Sequence, residues 1–171
     1  MNWSRTILDA FAMAAYFNLF AIVIVVINPR IMMYSYPKSI QKAAPMPQTR
    51  RERKLYHLWM YFGMLLPLAI YGSISAVSGG VSGFWPLFWM SYIEWLVISF
   101  ADFFLLDIYL LQKLGRRIQV PGTEEHPDYY LGNWLKKLAL PEHFLAWPLV
   151  MAPLVSLVQA CLGMLWGYSI Y

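Results

Sequence analysis

The sequence predicts an all-α integral membrane protein, a bundle of four spanning helices with both termini outside and two basic loops in the cytoplasm. The first observation behind this prediction is composition: 60% of the 171 residues are apolar and only 13% are charged, whereas soluble domains carry about a quarter charged residues. The second is the presence of long apolar stretches, and the third is the segregation of positive charge. This composition excludes a water-soluble enzyme, a nucleic-acid-binding protein and a disordered segment.

Four stretches of the chain are long and apolar enough to cross a bilayer, whose core needs about 20 apolar residues per helix. Polar, charge-rich segments follow the first and third stretches. We therefore predict a single transmembrane domain over residues 1–171, with spans at about 7–27, 58–77, 84–111 and 144–168 and cytoplasmic loops at about 28–57 and 112–143.

The positive charges predict the orientation of this bundle. Seven of the 13 Lys and Arg residues lie in the first loop and five in the second, which leaves only Arg5 for the other side. An excess of Lys and Arg marks cytoplasmic loops. Because the number of spans is even, both termini are predicted to lie outside.

The third span carries three carboxylates, Glu94, Asp102 and Asp107. At about 100° per residue in an α-helix, Glu94 and Asp102 fall on one stripe, which also contains Ser91 and Tyr109. Asp107 points about 140° away from Asp102. The sequence therefore predicts one line of polar side chains along this helix, with Asp107 outside it.

These carboxylates need compensation, because a charged side chain near the bilayer centre costs a few kcal/mol. No Lys or Arg lies within the four spans to pair with them. Asn18 and Gln159, near mid-depth, can hydrogen-bond to them but not neutralise them. We expect the stripe to line a hydrated or protein-filled interior, where protons, a bound cation or a ligand compensate its charge. The alternative is structural: protonated carboxyls that join helices by hydrogen bonds worth about 1 kcal/mol each.

Asp107 lies near a predicted helix C-terminus, where the helix dipole disfavours an anion. A partner is therefore expected, and Arg116, Arg117 and His57 are the candidates by position. His143, at the start of the fourth span, is expected to cap or anchor that helix instead.

The second loop is dense in metal-ligating side chains, with Glu124, His126 and Asp128 in the segment PGTEEHPDYY. Together with His57 at the entry to the second span, they are candidates for a site that would hold Zn, Fe or Mn. The alternative is an acidic loop that neutralises neighbouring lysines and arginines. The sequence does not identify a cofactor.

The first loop ends in a basic run, TRRERK, in which Thr49 and Glu52 have the spacing of a helix capping box. Basic residues at the inner surface attract anionic lipid head groups, and the alternative is contact with a phosphorylated substrate. The candidates for these contacts are Arg50, Arg51, Arg116 and Arg117.

An ordered set of short motifs runs through the middle of the chain: NPR, SYPKSI, TRRERK, ADFFLLD and PGTEE, within about residues 28–125. This set resembles small multi-pass membrane proteins of bacteria whose function is uncharacterised. The resemblance implies a four-helix membrane fold with a paired-aspartate third helix, and it carries no activity to this chain. The expected location is the cell membrane, the inner membrane of a bacterium.

Three functions are compatible with these residues. The first is a small transporter or channel-like protein for a proton, a cation or a small polar solute, indicated by the intramembrane carboxylates. The second is a membrane-embedded enzyme acting on a lipid or isoprenoid, with Asp102 and Asp107 holding Mg²⁺ against a diphosphate. The D-x4-D spacing opposes the second function, since it places the two side chains on different faces of an α-helix.

The third function is an accessory subunit of a larger membrane complex, for which the eight tryptophans and ten methionines would supply a contact surface. Four spans make a thin bundle, so a homo-oligomer is also expected. In every case the immediate partner is the lipid bilayer.

Overall fold

The computed structural model describes residues 3–170, with side chains over residues 3–167. Helices make up 84% of it and no β-strand occurs in this described part, which confirms the all-α prediction. The helices are α1 (Trp3–Ile27), α2 (Lys38–Ala43), α3 (Arg50–Ser78), α4 (residues 84–114) and α5 (residues 131–170).

Among the described residues, three helices are long and apolar enough to cross a membrane: α1, α3 and, within α5, Leu131–Gly167. They are the helices expected of a membrane protein, in agreement with the composition. The remaining long helix, α4, packs along both α1 and α5. It therefore brings its three carboxylates into the middle of the bundle.

α3 begins earlier than the predicted second span because a capping box starts it in the preceding segment. Thr49 Oγ1 accepts a hydrogen bond from the Glu52 backbone N–H at 3.2 Å, and Glu52 Oε2 accepts one from the Thr49 backbone N–H at 2.7 Å. These reciprocal bonds satisfy amide groups that a helix start leaves unpaired. The cap expected from the sequence is confirmed, and Arg50–His57 is already helical before the apolar stretch begins.

α5 begins at Leu131, inside the region predicted to be the second loop. Between α4 and α5 only residues 115–130 lie outside the two long helices. His143 therefore lies well inside α5. The expectation that it caps or anchors the start of a helix is wrong.

Wide, π-helical turns occur in three of the long helices. In this geometry the hydrogen bonds run between residues i and i+5, so residues five apart face the same side. Asp102 and Asp107 are five residues apart. The angle of about 140° predicted between their side chains assumed α-helical turns throughout, and this prediction is wrong. The π-helical segments are Leu58–Leu65, Phe103–Leu110, Leu135–Ala139 and Glu142–Met151.

The segments 28–49 and 115–130 pack together into a structure that we call the loop cap. The Tyr36 hydroxyl donates a hydrogen bond to the Ile118 carbonyl, and both residues are buried. The Tyr36 ring also packs edge-on against Trp134 of α5, with 5.7 Å between the ring centroids. The two segments are therefore fixed to each other and to the end of the bundle.

Candidate functional site

A buried histidine connects α4 and α5 in the region of wide turns. His143 is 1% exposed. Its Nε2 lies 2.9 Å from Asp107 Oδ2 and 3.6 Å from Asp102 Oδ2, and its Nδ1 lies 2.9 Å from the Ser99 hydroxyl. We call Ser99, Asp102, Asp107 and His143 the histidine–carboxylate cluster. Both aspartates reach one imidazole because the π-helical turn brings residues five apart to the same side.

The imidazole of His143 can hold or release a proton without losing either hydrogen-bond partner. In the neutral ring, Nε2–H donates to Asp107 while Nδ1 accepts the Ser99 O–H; in the protonated ring both nitrogens donate. Ser99 serves in both cases because a hydroxyl donates or accepts. The geometry of the cluster is thus compatible with a change of one proton.

The two aspartates of the cluster differ in how their oxygens are paired. Asp107 Oδ1 accepts a hydrogen bond from Trp134 Nε1 at 2.7 Å, so both of its oxygens have partners. Asp102 Oδ1 is buried and has no hydrogen-bond partner among the described residues. Buried unpaired polar atoms are costly and uncommon in folded proteins. Asp102 is therefore the carboxylate of the cluster that remains available to a proton or a ligand.

The cluster borders a cavity of about 130 Å³. Asp102, Asp107, Glu142 and His143 form the ionisable part of its wall, and all the π-helical segments contribute side chains to it. π-helical turns are frequent at functional sites. Most of the remaining wall is apolar, and it includes Phe17, Met32, Met60, Met64 and Trp147.

The lining of this cavity contains more acidic than basic side chains. Three carboxylates face one histidine, and no Lys or Arg in the described part of the chain lines the cavity. Ionised carboxylates that share a poorly solvated site repel one another, and burial disfavours their charge. Even with His143 protonated, further protons or a cation are needed to balance the remaining negative charge.

Ser99, His143 and Asp107 are the residue types of a serine-hydrolase triad, and their hydrogen bonds have suitable lengths. A nucleophilic serine must, however, reach its substrate. Ser99 is 1% exposed and is not one of the described residues that line the cavity. Its hydroxyl therefore orients the imidazole and is not positioned for nucleophilic attack.

Glu94 belongs to a separate contact between helices. It is 0% exposed, and its Oε2 accepts a hydrogen bond from Gln159 Nε2 at 2.7 Å, the partner predicted from the sequence. Gln159 Oε1 in turn accepts one from Trp95 at 3.0 Å. Gly72 makes room for this amide, because a Cβ at that position would overlap it. Glu94 Oε1 is unpaired within the described chain, but Glu94 does not line the cavity.

The other polar residues predicted to support the stripe are dispersed. Ser91 is buried without a hydrogen-bond partner for its hydroxyl in the described chain, and Tyr109 is 55% exposed. Asn18 is buried and donates to the Ala14 carbonyl of its own helix at 2.8 Å, and so does not make the predicted hydrogen bond to Asp102 or Glu94. The single stripe is therefore divided, and only Asp102 of its members borders the cavity.

A further buried carboxylate, Asp9 in α1, was not among the sequence candidates. Its oxygens accept hydrogen bonds from Tyr71 at 2.9 Å and from Ser75 at 2.6 Å, and Arg5 Nε lies 3.8 Å away. The spacing of Arg5 and Asp9, four residues apart on one helix, was the signal that could have found this group. Asp9 therefore forms an ion pair with Arg5 and accepts hydrogen bonds from two hydroxyls, and it is not part of the cavity lining.

The residues proposed as metal ligands do not assemble. His57 is exposed and stacks on the Tyr61 ring, whereas Glu124 Oε1 accepts the Gly122 N–H at 2.9 Å. His126 Nδ1 accepts the Asp128 N–H at 3.2 Å. Over the described residues, no group of three or more His, Cys, Asp or Glu side chains has an arrangement that could hold a metal ion.

The basic candidates lie on the surface, and none pairs with Asp107, whose partners are His143 and Trp134. Arg50, Arg51, Arg116 and Arg117 are all exposed. Contact with lipid head groups or phosphate remains a prediction for them.

Asp128 joins the loop cap to α5. Lys137 Nζ lies 2.6 Å from Asp128 Oδ1, and the Ser39 hydroxyl donates to Oδ2. Burial by itself raises the pKa of the Asp128 carboxyl, but the hydrogen bonds from Lys137 and Ser39 and the nearby positive charge outweigh it and hold this pKa below its usual range.

Replacing Asp128 by asparagine is expected to destabilise the protein by roughly 1 kcal/mol near neutral pH, because charge-assisted hydrogen bonds are lost. A carboxyl with a lowered folded-state pKa stabilises fully above its unfolded value of about 4 and loses that contribution as pH falls through the folded value. The difference in melting temperature between wild type and Asp128→Asn should therefore shrink below about pH 4. A difference that stays constant from neutral to acidic pH would contradict this role.

Comparisons of the chain with protein-family models, with curated proteins and with solved structures gave no match. The resemblance to small bacterial membrane proteins accordingly stays a prediction.

Proposed function

We propose that this protein is a small membrane transporter that exchanges protons for a cation or a small polar solute. The exchange site is the histidine–carboxylate cluster, with Asp102 binding the cargo or a proton in turn. Asp107 and His143 act as the coupled proton-holding pair beside it.

The unpaired Oδ1 of Asp102 supports this proposal most directly. It belongs to a carboxylate that borders a cavity, and the other oxygen of this carboxylate lies 3.6 Å from His143 Nε2, which Asp107 shares. Ionisable groups in membrane proteins are expensive and usually mark ion or proton pathways. Two occupants that exclude each other, a proton and a monovalent cation, would each reduce the negative charge of this wall by one.

The alternatives have less support from the contacts. The spacing of Asp102 and Asp107 no longer opposes an enzyme, since both reach His143. The enzyme considered above would hold Mg²⁺, however, and the described residues form no group of three or more side chains that could hold a metal ion. Ser99 does not line the cavity. An accessory subunit would use its exposed apolar side chains as a contact surface, but exposed residues such as Leu8, Phe11 and Leu149 are also what a lipid-facing surface requires.

The proposal includes the four-span topology, with α4 as the additional span, the loop cap in the cytoplasm and both termini outside. The location would then be the cell membrane of a bacterium. A bundle this thin would function as a homo-oligomer.

The experiment is a flux assay with purified protein in liposomes that contain a pH-sensitive dye. Na⁺, K⁺ and tetramethylammonium are added outside in separate runs, and the cation that the protein exchanges should drive protons out of the lumen, so that the lumenal pH rises relative to protein-free liposomes. Tetramethylammonium is chosen because its fixed charge prevents it from crossing as a neutral amine. If no cation changes lumenal pH beyond the protein-free control, the exchange of protons for a cation is refuted.

A further inference from the structure

The apolar wall of the cavity restricts the kind of cation that fits beside Asp102. Bound metal cations prefer several oxygen ligands, six or more for Ca²⁺ and Mg²⁺. Here Asp102 offers one unpaired oxygen, whereas Ser35, Tyr36 and Asp107 already make hydrogen bonds within the protein. Apart from Glu142, the rest of the wall is formed largely by methionine, leucine and aromatic side chains. A hydrated or multiply coordinated ion would therefore be poorly matched to this space.

We propose that the cavity binds a small amphipathic amine: one ammonium group paired with Asp102 and one compact apolar group against the opposite wall. This inference names the cargo of the proposed transporter and rests on that function for its biological role. The binding itself is a separate claim, because a site can bind an amine without moving it.

Size supports this class of ligand. The cavity volume is about 130 Å³, close to the ~150 Å³ of an engineered apolar cavity in another protein that accepts benzene. A single ring or a short branched alkyl group therefore matches this volume.

The composition of the wall supports both ends of the ligand. Phe17, Tyr36, Trp134 and Trp147 all line the cavity, and aromatic faces attract a cation within about 6 Å of the ring centre. The methionines of the wall are flexible and polarisable, so they can adjust to apolar groups of different shape. The ammonium group replaces the proton that otherwise balances Asp102.

Benzylamine is a suitable probe, with benzyl alcohol as a neutral control of nearly the same shape. Calorimetric titration of the purified protein in detergent, against a detergent blank, should detect benzylamine binding near neutral pH. Benzyl alcohol should bind at least about tenfold more weakly, because it lacks the charge that Asp102 attracts. Equal affinity for the two compounds, or no benzylamine heat above the blank, would overturn the inference.

Three variants locate the binding. Asp102→Asn should weaken the binding of benzylamine at least about tenfold and leave the affinity for benzyl alcohol unchanged. Glu94→Gln, which lies away from the cavity lining, should change the affinity for neither compound. Ala21→Leu adds carbon atoms to a residue of the cavity wall and should weaken both ligands. Wild-type affinity for benzylamine in Asp102→Asn would contradict the assignment, even if Ala21→Leu does not fold.

The outcome is separable from that of the flux assay. Benzylamine binding that depends on Asp102, without proton movement driven by Na⁺, K⁺ or tetramethylammonium, would retain the amine site and refute the exchange of protons for these cations. Proton movement driven by Na⁺ or K⁺, without benzylamine binding, would retain transport and refute the amine site.

Discussion

Replacing Asp102 by asparagine is expected to reduce cation-driven proton movement in liposomes at least about tenfold, equivalent to ~1.4 kcal/mol or more. Asparagine has nearly the same size and can still accept a hydrogen bond, but it neither binds a proton nor attracts a cation. Asp102 Oδ1 has no partner in the described chain, and Oδ2 lies 3.6 Å from His143 Nε2, beyond hydrogen-bond distance, so the substitution breaks no existing hydrogen bond. The melting temperature should therefore stay close to that of wild type.

Glu94→Gln is the matched control for this experiment. It also neutralises a buried carboxyl of α4, but Glu94 contacts Gln159 and does not line the cavity. We expect this variant to retain wild-type flux. Wild-type flux in Asp102→Asn, or equal loss in both variants, would show that the cavity-facing carboxylate has no special role.

Replacing His143 by alanine is expected to have the largest effect on stability, a loss of about 2–5 kcal/mol, because it removes a buried side chain and leaves buried polar atoms without their hydrogen-bond partner. The imidazole contacts Ser99, Asp102 and Asp107 from within α5, so its removal disconnects α4 from α5 at the cluster. A large fall in melting temperature in detergent is the expected result. Asp107 Oδ1 would keep its hydrogen bond to Trp134, so Asp107 would lose the partner of only one of its two oxygens.

The exposed His57 provides the control for His143. His57→Ala removes the same side chain from the surface of α3, so its melting temperature should remain near that of wild type. If the two alanine variants have the same melting temperature, the histidine–carboxylate cluster does not join α4 to α5 and the role given to His143 is wrong.

Composition and local spacing predicted the features that depend on neighbouring residues in the chain. The apolar stretches became helices α1, α3 and α5, and Thr49 with Glu52 formed the expected cap. The bond between Glu94 and Gln159 was also foreseen, because both side chains lie near mid-depth in their helices. In each case a regular α-helix or a local motif was a sufficient guide.

The geometry of the site could not be predicted in the same way. Directions around α4 were calculated for α-helical turns, but Phe103–Leu110 is π-helical, so Asp107 joins Asp102 instead of pointing away. His143 was assigned to a helix start because the apolar stretch begins after it, whereas α5 already begins at Leu131. Local sequence does not report a widened turn or a long-range contact.

The unequal pairing of the two aspartates also requires three-dimensional information. Trp134 and His143, which satisfy Asp107, both come from α5. Nothing in the α4 sequence distinguishes this carboxyl from that of Asp102. Only the packing of the two helices leaves one oxygen of Asp102 unpaired beside the cavity.

Infrared difference spectroscopy of the carboxyl C=O stretch shows whether Asp102 exchanges a proton, because protonated and ionised carboxyls absorb differently. Upon a change of pH in membranes, wild type and Glu94→Gln should both show a protonated-carboxyl band that appears and disappears, and Asp102→Asn should lack it. An Asp102 carboxyl whose band does not respond to pH, or an unchanged spectrum in Asp102→Asn, would mean that this group exchanges no proton and that the cluster only joins helices.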